Sequence, residues 1–411
     1  MKKVVLINHS DTRGGASVVT YRLMQALSRA GVDARMIVMH KGTDSLRVAQ
    51  AASPNRTRLS FLAECAQIYL NNGFNRRDLF KVSTASFGLP LHKHPWVREA
   101  DAVILGWINQ GMMSLSEIQR ISDMRKPIAW TLHDMWPITG ICHHAGTCNR
   151  FTDGCGNCPF IRGGKSVNDL SRTVWRRKQR IYRNVPLKFV AISSWIAGKC
   201  TESGLTAAHD VVVIPNAFPV DEYRVTPRKS RGELGLPAGK RLIVMGAARL
   251  DDPIKNLPLA VDAMNRVGAD ADAAAVFFGN IRDPYALDGL RMPHVALGPV
   301  SDPADVAQIY AHADVVLSTS RYETLPGTLI EGMAAGAVPV STGNGGQRDI
   351  IDNGIDGYIA HNADDPDEIA VLIERAIANP FPRDAQHEAV KRRFDARRIA
   401  NAYIQLLDLQ K

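Results

Sequence analysis

The segment VVLINHSDTRGGASVVTYRLMQALSRAGVDARMIVM, residues 4–39, predicts the start of a parallel α/β sheet. Its first residues, Val4–Asn8, form a short apolar run of the kind found in buried strands. After a glycine-rich turn, apolar side chains recur at helical spacing over Val18–Ala30, and Gly31 ends the helix. Residues Ala34–Met39 form the next apolar run. Strand, helix and strand in this order make a β-α-β unit, the building block of parallel sheets.

Similar apolar runs recur along the rest of the chain. Those in the first half are Ala102–Leu105, Ile128–Leu132, Phe189–Ile192 and Val211–Asn216. A polar segment, Asp221–Gly239, follows and is interpreted as a linker region. The runs beyond it are Arg241–Gly246, Ala274–Gly279, Val315–Thr319 and Val338–Ser341, with helical patterns over Leu257–Val267 and Gly327–Ala335. Two successive alternating sets predict an α/β protein with two Rossmann-like domains facing across a cleft.

The predicted domains are residues 1–216 and 217–395. Residues 396–411 contain a final helix that could lie on either domain, and packing back on the first domain is the prediction. The length of 411 residues agrees with two or more domains, because one domain usually has about 100–200 residues.

The composition, 45% hydrophobic and 22% charged, is that of a globular protein. No apolar run approaches the roughly 18 residues that cross a bilayer, and the N-terminal run is too short for a signal peptide. We therefore expect a cytoplasmic location, with peripheral contact at the inner face of the membrane as an extension. The net charge of +9 suits phosphates, lipid headgroups or nucleic acid. Because no nucleic-acid-binding module is recognisable, a nucleic-acid partner is not expected.

The segment RYETLPGTLIE, residues 321–331, predicts a phosphate site at a helix start. Pro326 suits the beginning of a helix, where a missing N–H costs little. The free N–H groups of Gly327 and Thr328 would then point at an anion. Glu331, in the second turn, could accept hydrogen bonds from a ribose diol, whereas Glu323 lies in the preceding loop. Two glutamates at this spacing also flank many ordinary helix starts.

A second cluster follows the strand that begins at Arg241. Arg249 ends this strand and Lys255 comes six residues later, at the sheet edge where open α/β sheets bind ligands. Two fixed cations there could stabilise the charge that develops on a departing diphosphate. The alternative interpretation is a solvated strand end with two ordinary surface cations.

In combination, these motifs resemble the retaining glycosyltransferases of family 4, which have the GT-B fold. The matching features also include the segment AAGAVPV at 334–340, Gly345-Gly346, Ile214-Pro215-Asn216 and Gly14-Gly15-Ala16. The subgroup that makes bacterial surface polysaccharides, of the colanic-acid or exopolysaccharide type, is similar over residues 130–136 and beyond. Leu325-Pro326 departs from the Phe-Gly that many family members have, which leaves the transferred sugar open.

The resemblance implies roles for individual residues. Arg249 and Lys255 would hold the donor diphosphate, and Glu331 would bind the ribose. Glu323 would contact the transferred sugar, and Val300 would lie beside the base. Residues Gly14 and Gly15 would approach the phosphate from the N-terminal domain, where the acceptor also binds.

His133 and Asp134 directly follow the predicted strand Ile128–Leu132, at its end facing the cleft. In similar enzymes a histidine at this position hydrogen-bonds the donor sugar, and Asp134 would orient a ring or stabilise charge. A lone histidine after a strand is otherwise more often structural.

Four cysteines lie within one short insert at 142–158. They are Cys142, Cys148, Cys155 and Cys158. Four soft ligands at this spacing predict a structural zinc site, with free or disulfide-linked cysteines as the alternative. The insert would stiffen a loop on the acceptor side. No cofactor is expected to be required for catalysis.

A basic segment, Arg172–Arg183, places arginines on one helical face with Trp175 and Tyr182 seven residues apart. Such a helix could rest on an anionic membrane, or it could be a solvated helix with core aromatics.

The sequence therefore predicts a retaining hexosyltransferase that moves a sugar from a UDP- or GDP-sugar to a saccharide acceptor in surface polysaccharide biosynthesis. We expect this acceptor to be lipid-linked. The alternatives are a nucleotide-sugar epimerase or hydrolase on the same scaffold, and a non-catalytic nucleotide-sugar-binding protein.

Overall fold

The computed structural model describes residues 1–162 and 166–410, which divide into two compact units. One unit consists of Met1–Ala217 together with the chain from Ala396 onward, and the other is Phe218–Asp395. Each unit is built on one parallel sheet whose strands alternate with helices. The α/β class with two Rossmann-like domains is therefore confirmed.

The first unit contains a parallel sheet in the order β3-β2-β1-β4-β5-β6-β7. Its strands are β1 (Lys3–Ser10), β2 (Asp33–His40), β3 (Val48–Gln50), β4 (Ala102–Leu105), β5 (Ile128–Leu132), β6 (Leu187–Ala191) and β7 (Val211–Val213). Its first helices are α1 (Gly15–Arg29), α2 (Pro54–Asn71), α3 (Pro95–Glu99), α4 (Leu115–Ser122), α5 (Leu170–Asn184) and α6 (Ser194–Glu202). Strands β2 and β3 are added on one side of β1, and β4 and the strands after it are added on the other side.

The second unit contains a parallel sheet in the corresponding order β10-β9-β8-β11-β12-β13. Its strands are β8 (Arg241–Arg249), β9 (Ala273–Asn280), β10 (His294–Ala296), β11 (Val315–Ser318), β12 (Val338–Ser341) and β13 (Tyr358–Ile359). Its helices are α7 (Leu257–Met264), α8 (Pro303–His312), α9 (Gly327–Ala334), α10 (Pro366–Ala378) and α11 (Arg383–Phe394).

The last helix, α12 (Ala396–Leu406), belongs to the first unit and packs against α1. Its residues Ile399, Ala400 and Tyr403 are buried in the core that α1 and β1 also line. The hydroxyl of Tyr403 lies 2.8 Å from Oγ1 of Thr131 in β5, so the helix is tied to the sheet by a buried hydrogen bond.

The central strands formed as predicted because they are buried along their whole length. Every residue of β4, β5, β11 and β12 is buried, and such strands appear in a sequence as continuous apolar runs. The edge strands β3, β10 and β13 have only two or three residues and were not predicted, because so short a segment shows no periodicity.

In the described part of the chain, every helix lacks either the length or the apolar character that crossing a bilayer requires.

Candidate active site

The loop after β11 places Glu323 beside Lys255. The Lys255 ammonium donates to Oε1 of Glu323, and the Ser320 hydroxyl donates to the same oxygen at 2.9 Å. The Thr319 hydroxyl also donates to the carbonyl oxygen of Lys255 at 3.0 Å, which ties the segment before α7 to the end of β11. Two residues that are 68 positions apart in the sequence are thus brought into contact at the carboxyl edge of the sheet.

The backbone of Glu323 is held by the glycine turn after β12. Its N–H donates to the Asn344 carbonyl at 3.1 Å, and its carbonyl accepts from the Gly346 N–H at 2.9 Å. Gly345 has a φ of 144°, and a Cβ there would lie 2.0 Å from the Glu323 carbonyl oxygen. Only glycine therefore fits, and the turn fixes where the Glu323 side chain begins.

Arg249 lies at the end of β8 and pairs with two acidic neighbours. Its Nη2 atom is 3.2 Å from Asp252 and its Nε atom 3.5 Å from Asp251. One third of its side chain remains exposed. Both predicted phosphate-binding cations, Arg249 and Lys255, are therefore paired with carboxylates of the same unit in this structure.

Helix α9 begins at Gly327, as predicted, with Pro326 directly before it. Among the described residues no side chain caps this helix start, and Gly327 and Thr328 are half-buried. An uncapped helix start offers N–H groups to an anion. Glu331 lies one turn further along, near Tyr310 of α8. Burial, and secondarily the Glu331 carboxylate, raise the pKa of Tyr310 well above its usual range.

Val300 is half-buried in the loop between β10 and α8. The preceding turn is held by a hydrogen bond from the Gly279 N–H to the Gly298 carbonyl, at 2.8 Å. This hydrogen bond joins the loop to the carboxyl end of β9.

In the first unit, Gly14 and Gly15 form the turn between β1 and α1. Gly14 has a φ of 85°, a left-handed conformation that glycine adopts at low cost, and Gly15 is the first residue of the helix. No described atom lies within 4 Å of the position that a Cβ on Gly15 would take, so the helix start is open.

His133 lies at the end of β5 and contacts α1. Its Nε2 atom is 3.2 Å from Oγ1 of Thr20, whose hydroxyl donates to the Ala16 carbonyl at 2.7 Å. The single hydroxyl proton of Thr20 is thus engaged, so His133 donates from Nε2. Burial lowers the pKa of His133 to about 4, and its ring is neutral at pH 7 with Nδ1 as the acceptor.

The charge of Asp134 opposes the lowering of the His133 pKa, but the hydrogen bonds of its carboxylate go to other groups. Its carboxylate accepts from Nε1 of Trp107 at 2.7 Å, from the Trp136 N–H at 2.8 Å and from Nδ1 of His143 at 2.7 Å. Burial opposes its ionisation, but His143 and these hydrogen bonds lower the pKa of Asp134 to about 2. The buried carboxylate therefore orders the loop after β5.

Sequence reasoning missed three polar or aromatic residues at this edge, namely Asn8, Trp107 and His143. Asn8 ends the apolar part of β1, and its Oδ1 accepts from the Trp107 N–H at 2.6 Å. The ring of His143 lies 5.2 Å from that of Trp107. A polar side chain at the end of an apolar run is the signal that could have pointed to Asn8.

The four clustered cysteines, Cys142, Cys148, Cys155 and Cys158, line one small cavity, and all are free thiols. Burial raises the pKa of Cys142, that of Cys155 to about 11 and that of Cys158 to about 12. Among the described residues no group of three or more His, Cys, Asp or Glu side chains could hold a metal ion. The zinc site therefore stays a prediction, since the four cysteines share one cavity but do not form such a group here.

The basic helix α5 buries its aromatic face in the core and exposes its arginine face to solvent. Trp175, Lys178 and Tyr182 are buried, and the aromatic face that the membrane interpretation needs is covered. Arg176, Arg180 and Arg183 are exposed without an exposed aromatic residue beside them. The interpretation of a solvated helix with core aromatics is the one that the burial supports.

Two curated relatives are similar in sequence to part of this chain. A curated relative, spore coat protein SA of Bacillus subtilis (strain 168), is 26% identical over 167 residues, which are 38% of this chain and 44% of that protein. The putative colanic acid biosynthesis glycosyl transferase WcaC of Escherichia coli (strain K12) is 22% identical over 249 residues, 55% of this chain and 60% of that protein. The chain thus matches only about half the length of these relatives.

The fold is similar to that of a solved structure over its whole length. The crystal structure of Anabaena Alr3699/HepE in complex with UDP and glucose superposes with a TM-score of 0.64 at 17% identity, covering 100% of both chains. The model of the family described as "Glycosyl transferases group 1" matches residues 239–379, and that of "Glycosyltransferase Family 4" matches residues 13–222, more than half of the chain. With both sheets of the GT-B fold in place and the family model spanning most of the first unit, this protein belongs to glycosyltransferase family 4.

Proposed function

We propose that the protein is a retaining glycosyltransferase that moves a hexose from a UDP- or GDP-linked donor to a saccharide acceptor. The observation that carries the proposal is the grouping at the carboxyl edge of the second unit's sheet. There, Lys255 contacts Glu323, Arg249 ends β8, and α9 begins without a cap. Family membership and the UDP complex of the similar Anabaena protein support a nucleotide-sugar donor.

The second unit, residues 217–395, is proposed to bind the donor. Arg249 and Lys255 would grip the diphosphate, and the N–H groups of Gly327 and Thr328 would add to its stabilisation. Glu331 would accept hydrogen bonds from the ribose hydroxyls, and Val300 would lie beside the base.

The pairing of both cations with carboxylates suggests how the site accommodates a donor. A diphosphate would replace Glu323 as the partner of Lys255, and the freed carboxylate would then be available to the transferred sugar. Arg249 would likewise exchange Asp252 for a phosphate oxygen. The binding energy of the diphosphate must therefore exceed that of two partly exposed ion pairs, which are individually weak.

In the proposed reaction, the bond between the anomeric carbon and the diphosphate oxygen breaks and the acceptor hydroxyl attacks from the same face. The hydroxyl proton passes to the departing phosphate, so no side chain has to act as general base. Arg249 and Lys255 would stabilise the charge on that phosphate. Gly14, Gly15 and His133 of the first unit are proposed to contact the phosphate and the sugar, with neutral His133 as a hydrogen-bonding group.

The acceptor is proposed to be a lipid-linked saccharide in surface polysaccharide assembly, bound by the first unit. The support is the similarity to the putative colanic acid biosynthesis enzyme over 249 residues.

The test begins with a thermal-shift screen of nucleoside diphosphates, because a ligand that binds only the native state raises the melting temperature. With the best donor, Arg249→Ala should reduce turnover by about 100-fold or more, as expected when a group that stabilises transition-state charge is removed. Glu331→Ala should weaken nucleotide affinity about tenfold or more, measured by calorimetry, through loss of charge-assisted hydrogen bonds. Glu388→Ala, at an exposed position of α11, is the matched control and should change neither quantity.

Near-normal turnover of Arg249→Ala would refute the charge argument. Nucleotide binding without sugar transfer to any saccharide would indicate a binding protein, and donor consumption without acceptor a hydrolase or epimerase. The anomeric configuration of the product, read by NMR, tests retention.

A further inference from the structure

We propose that α2 and the segment after it form a docking surface for an anionic lipid bilayer. This basic-apolar patch consists of the exposed side chains of Arg56, Arg58, Leu59, Leu62, Leu70, Phe74, Arg76 and Arg77. It lies wholly within the first unit.

The apolar part of the patch follows one face of α2. Leu59, Leu62 and Leu70 are exposed to 70%, 49% and 58%, and their spacing of three and eight residues puts them on the same stripe of a helix. The opposite side of α2 is the buried one, with Thr57, Glu64 and Ile68. The leucine side chains on this face of α2 are thus exposed to solvent.

The segment after α2 extends the apolar surface. Phe74 is 67% exposed and lies edge-on to Tyr69 at 5.6 Å, whereas Phe80 is 62% exposed and stacks on Phe61 at 6.4 Å. Phe74 therefore lies beside the exposed stripe, because Tyr69 is next to Leu62 around the helix. Phe61, and with it Phe80, lies on the opposite, buried side of α2 and is not part of the stripe. Contiguous exposed apolar side chains of this kind mark interaction sites.

The exposed charged side chains of this segment are positive. Arg56, Arg58, Arg76 and Arg77 are exposed and, within the described residues, form no ion pair. Between residues 53 and 81 the only acidic residues are Glu64 and Asp78.

Neither of these carboxylates offsets the exposed charge. Glu64 is buried, and accepts from the N–H groups of Thr84, Ala85 and Gly111. Asp78 is covered and paired with Lys81 and Arg162. No solvent-exposed carboxylate therefore lies within this segment.

An anionic bilayer fits this combination better than another protein does. Leucine and phenylalanine side chains can enter the headgroup region while the arginines contact lipid phosphates. A dimer of this surface would place the arginines of one copy against those of the other, which like-charge repulsion opposes. The exposed arginines of α5 lack apolar neighbours and do not meet the same requirement.

The experiment is flotation of the full-length protein with vesicles of phosphatidylcholine alone or with 30% phosphatidylglycerol. We expect binding to the anionic vesicles that weakens at high salt, because each cation near an anionic surface strengthens binding about fivefold. The variant Leu59→Gln/Leu62→Gln/Leu70→Gln and the variant Arg56→Gln/Arg58→Gln/Arg76→Gln should each reduce partitioning at least about tenfold. Glutamine keeps helix propensity, and circular dichroism checks that both variants fold.

Two matched controls remove the same groups elsewhere. Arg176→Gln/Arg180→Gln/Arg183→Gln removes three exposed cations from α5, and Leu46→Gln removes a leucine that is 94% exposed. Both should bind vesicles as the unmodified protein does.

Absence of vesicle binding, or its loss in the α5 control with retention in the α2 variants, would overturn the proposal. So would a concentration-dependent dimer that the leucine variant dissociates, because a second copy would then be the occupant. The assay contains no donor and no acceptor, so its failure leaves the proposed transferase activity untouched, and failure of the transferase test leaves this surface untouched.

Discussion

Two histidine rings at the carboxyl edge of the first unit's sheet are held in the neutral form. The ring of His9 lies 5.0 Å from that of His40 and 5.3 Å from that of Trp107, and burial, together with His40, lowers the pKa of His9 to about 4. Burial also lowers the pKa of His133 to about 4. A neutral imidazole has one nitrogen that donates and one that accepts a hydrogen bond. This environment therefore suits the proposed contact of His133 with a sugar.

The lowered pKa values predict how stability depends on pH. In the unfolded chain a histidine takes up its proton near pH 6.5, so between about pH 6.5 and 4 the unfolded state binds more protons than the native state. The free energy of unfolding should therefore fall as the pH is lowered through this window, by roughly 1–2 kcal/mol for each ring between pH 7 and 5. Urea denaturation at pH 7, 6 and 5 measures this decrease in the free energy of unfolding.

The variant His133→Asn should lose its share of this pH dependence, whereas His294→Asn, at an exposed position, should keep the full slope. Identical slopes in the original protein and both variants would show that His133 does not contribute.

At the scale of elements, side chains of α5 and of the residue that follows α6 donate to the carbonyl groups of the short 3₁₀ helix Trp136–Ile138 and of Thr139. Nζ of Lys178 donates to the Trp136 carbonyl at 2.5 Å and to the Thr139 carbonyl at 3.0 Å. The Tyr182 hydroxyl donates to the Pro137 carbonyl at 2.8 Å, and the Ser203 hydroxyl to the Ile138 carbonyl at 2.7 Å. Four successive carbonyls after His133-Asp134 are thus satisfied by side chains, which keeps this loop in one conformation.

Replacing Lys178 with methionine tests this arrangement. The apolar stem is retained, but the buried Thr139 carbonyl loses its donor, and an unsatisfied group of this kind costs about 1–3 kcal/mol. The Trp136 carbonyl keeps the Thr139 N–H as a donor at 3.3 Å. We expect Lys178→Met to lower the free energy of unfolding by about 1–3 kcal/mol in urea titrations, with Arg180→Met, on the exposed face, nearly unchanged. A loss below about 0.5 kcal/mol would contradict the role of Lys178.

At the scale of the whole molecule, the end of the chain completes the core of the first unit. Tyr403 is 1% exposed, and its hydroxyl lies 2.8 Å from that of Thr131. Nζ of Lys188 in β6 donates to the Leu406 carbonyl at 2.5 Å. The core of the first unit is therefore complete only when residues 396–406 pack onto it.

Truncation of Tyr403 should destabilise this first unit specifically. Tyr403→Ala removes a fully buried aromatic side chain, which typically costs about 3–5 kcal/mol. Tyr285→Ala, where the side chain is 75% exposed in the second unit, is the control. In limited proteolysis with mass spectrometry, new cleavage sites should appear within residues 1–217 for the first variant only. Cleavage confined to residues 218–395 would contradict this assignment.

The fold class was predictable because its signals are local. The buried strands β4, β5 and β12 begin and end where their apolar runs do, and α9 starts directly after Pro326. The placement of Arg249, Lys255 and Glu323 near strand ends follows from the same local pattern, since every parallel strand brings its carboxyl end to one edge.

Features that depend on distant partners could not be predicted in this way. A run of arginines with two aromatics suggested a membrane helix in α5, but the core covers Trp175 and Tyr182, and the exposed apolar stripe lies on α2. Asp134 was expected to orient the His133 ring or to stabilise charge, and the sequence did not indicate its hydrogen bonds with Trp107 and His143. Period and spacing show that a helix face is apolar, whereas burial of that face depends on which other segments of the chain pack against it.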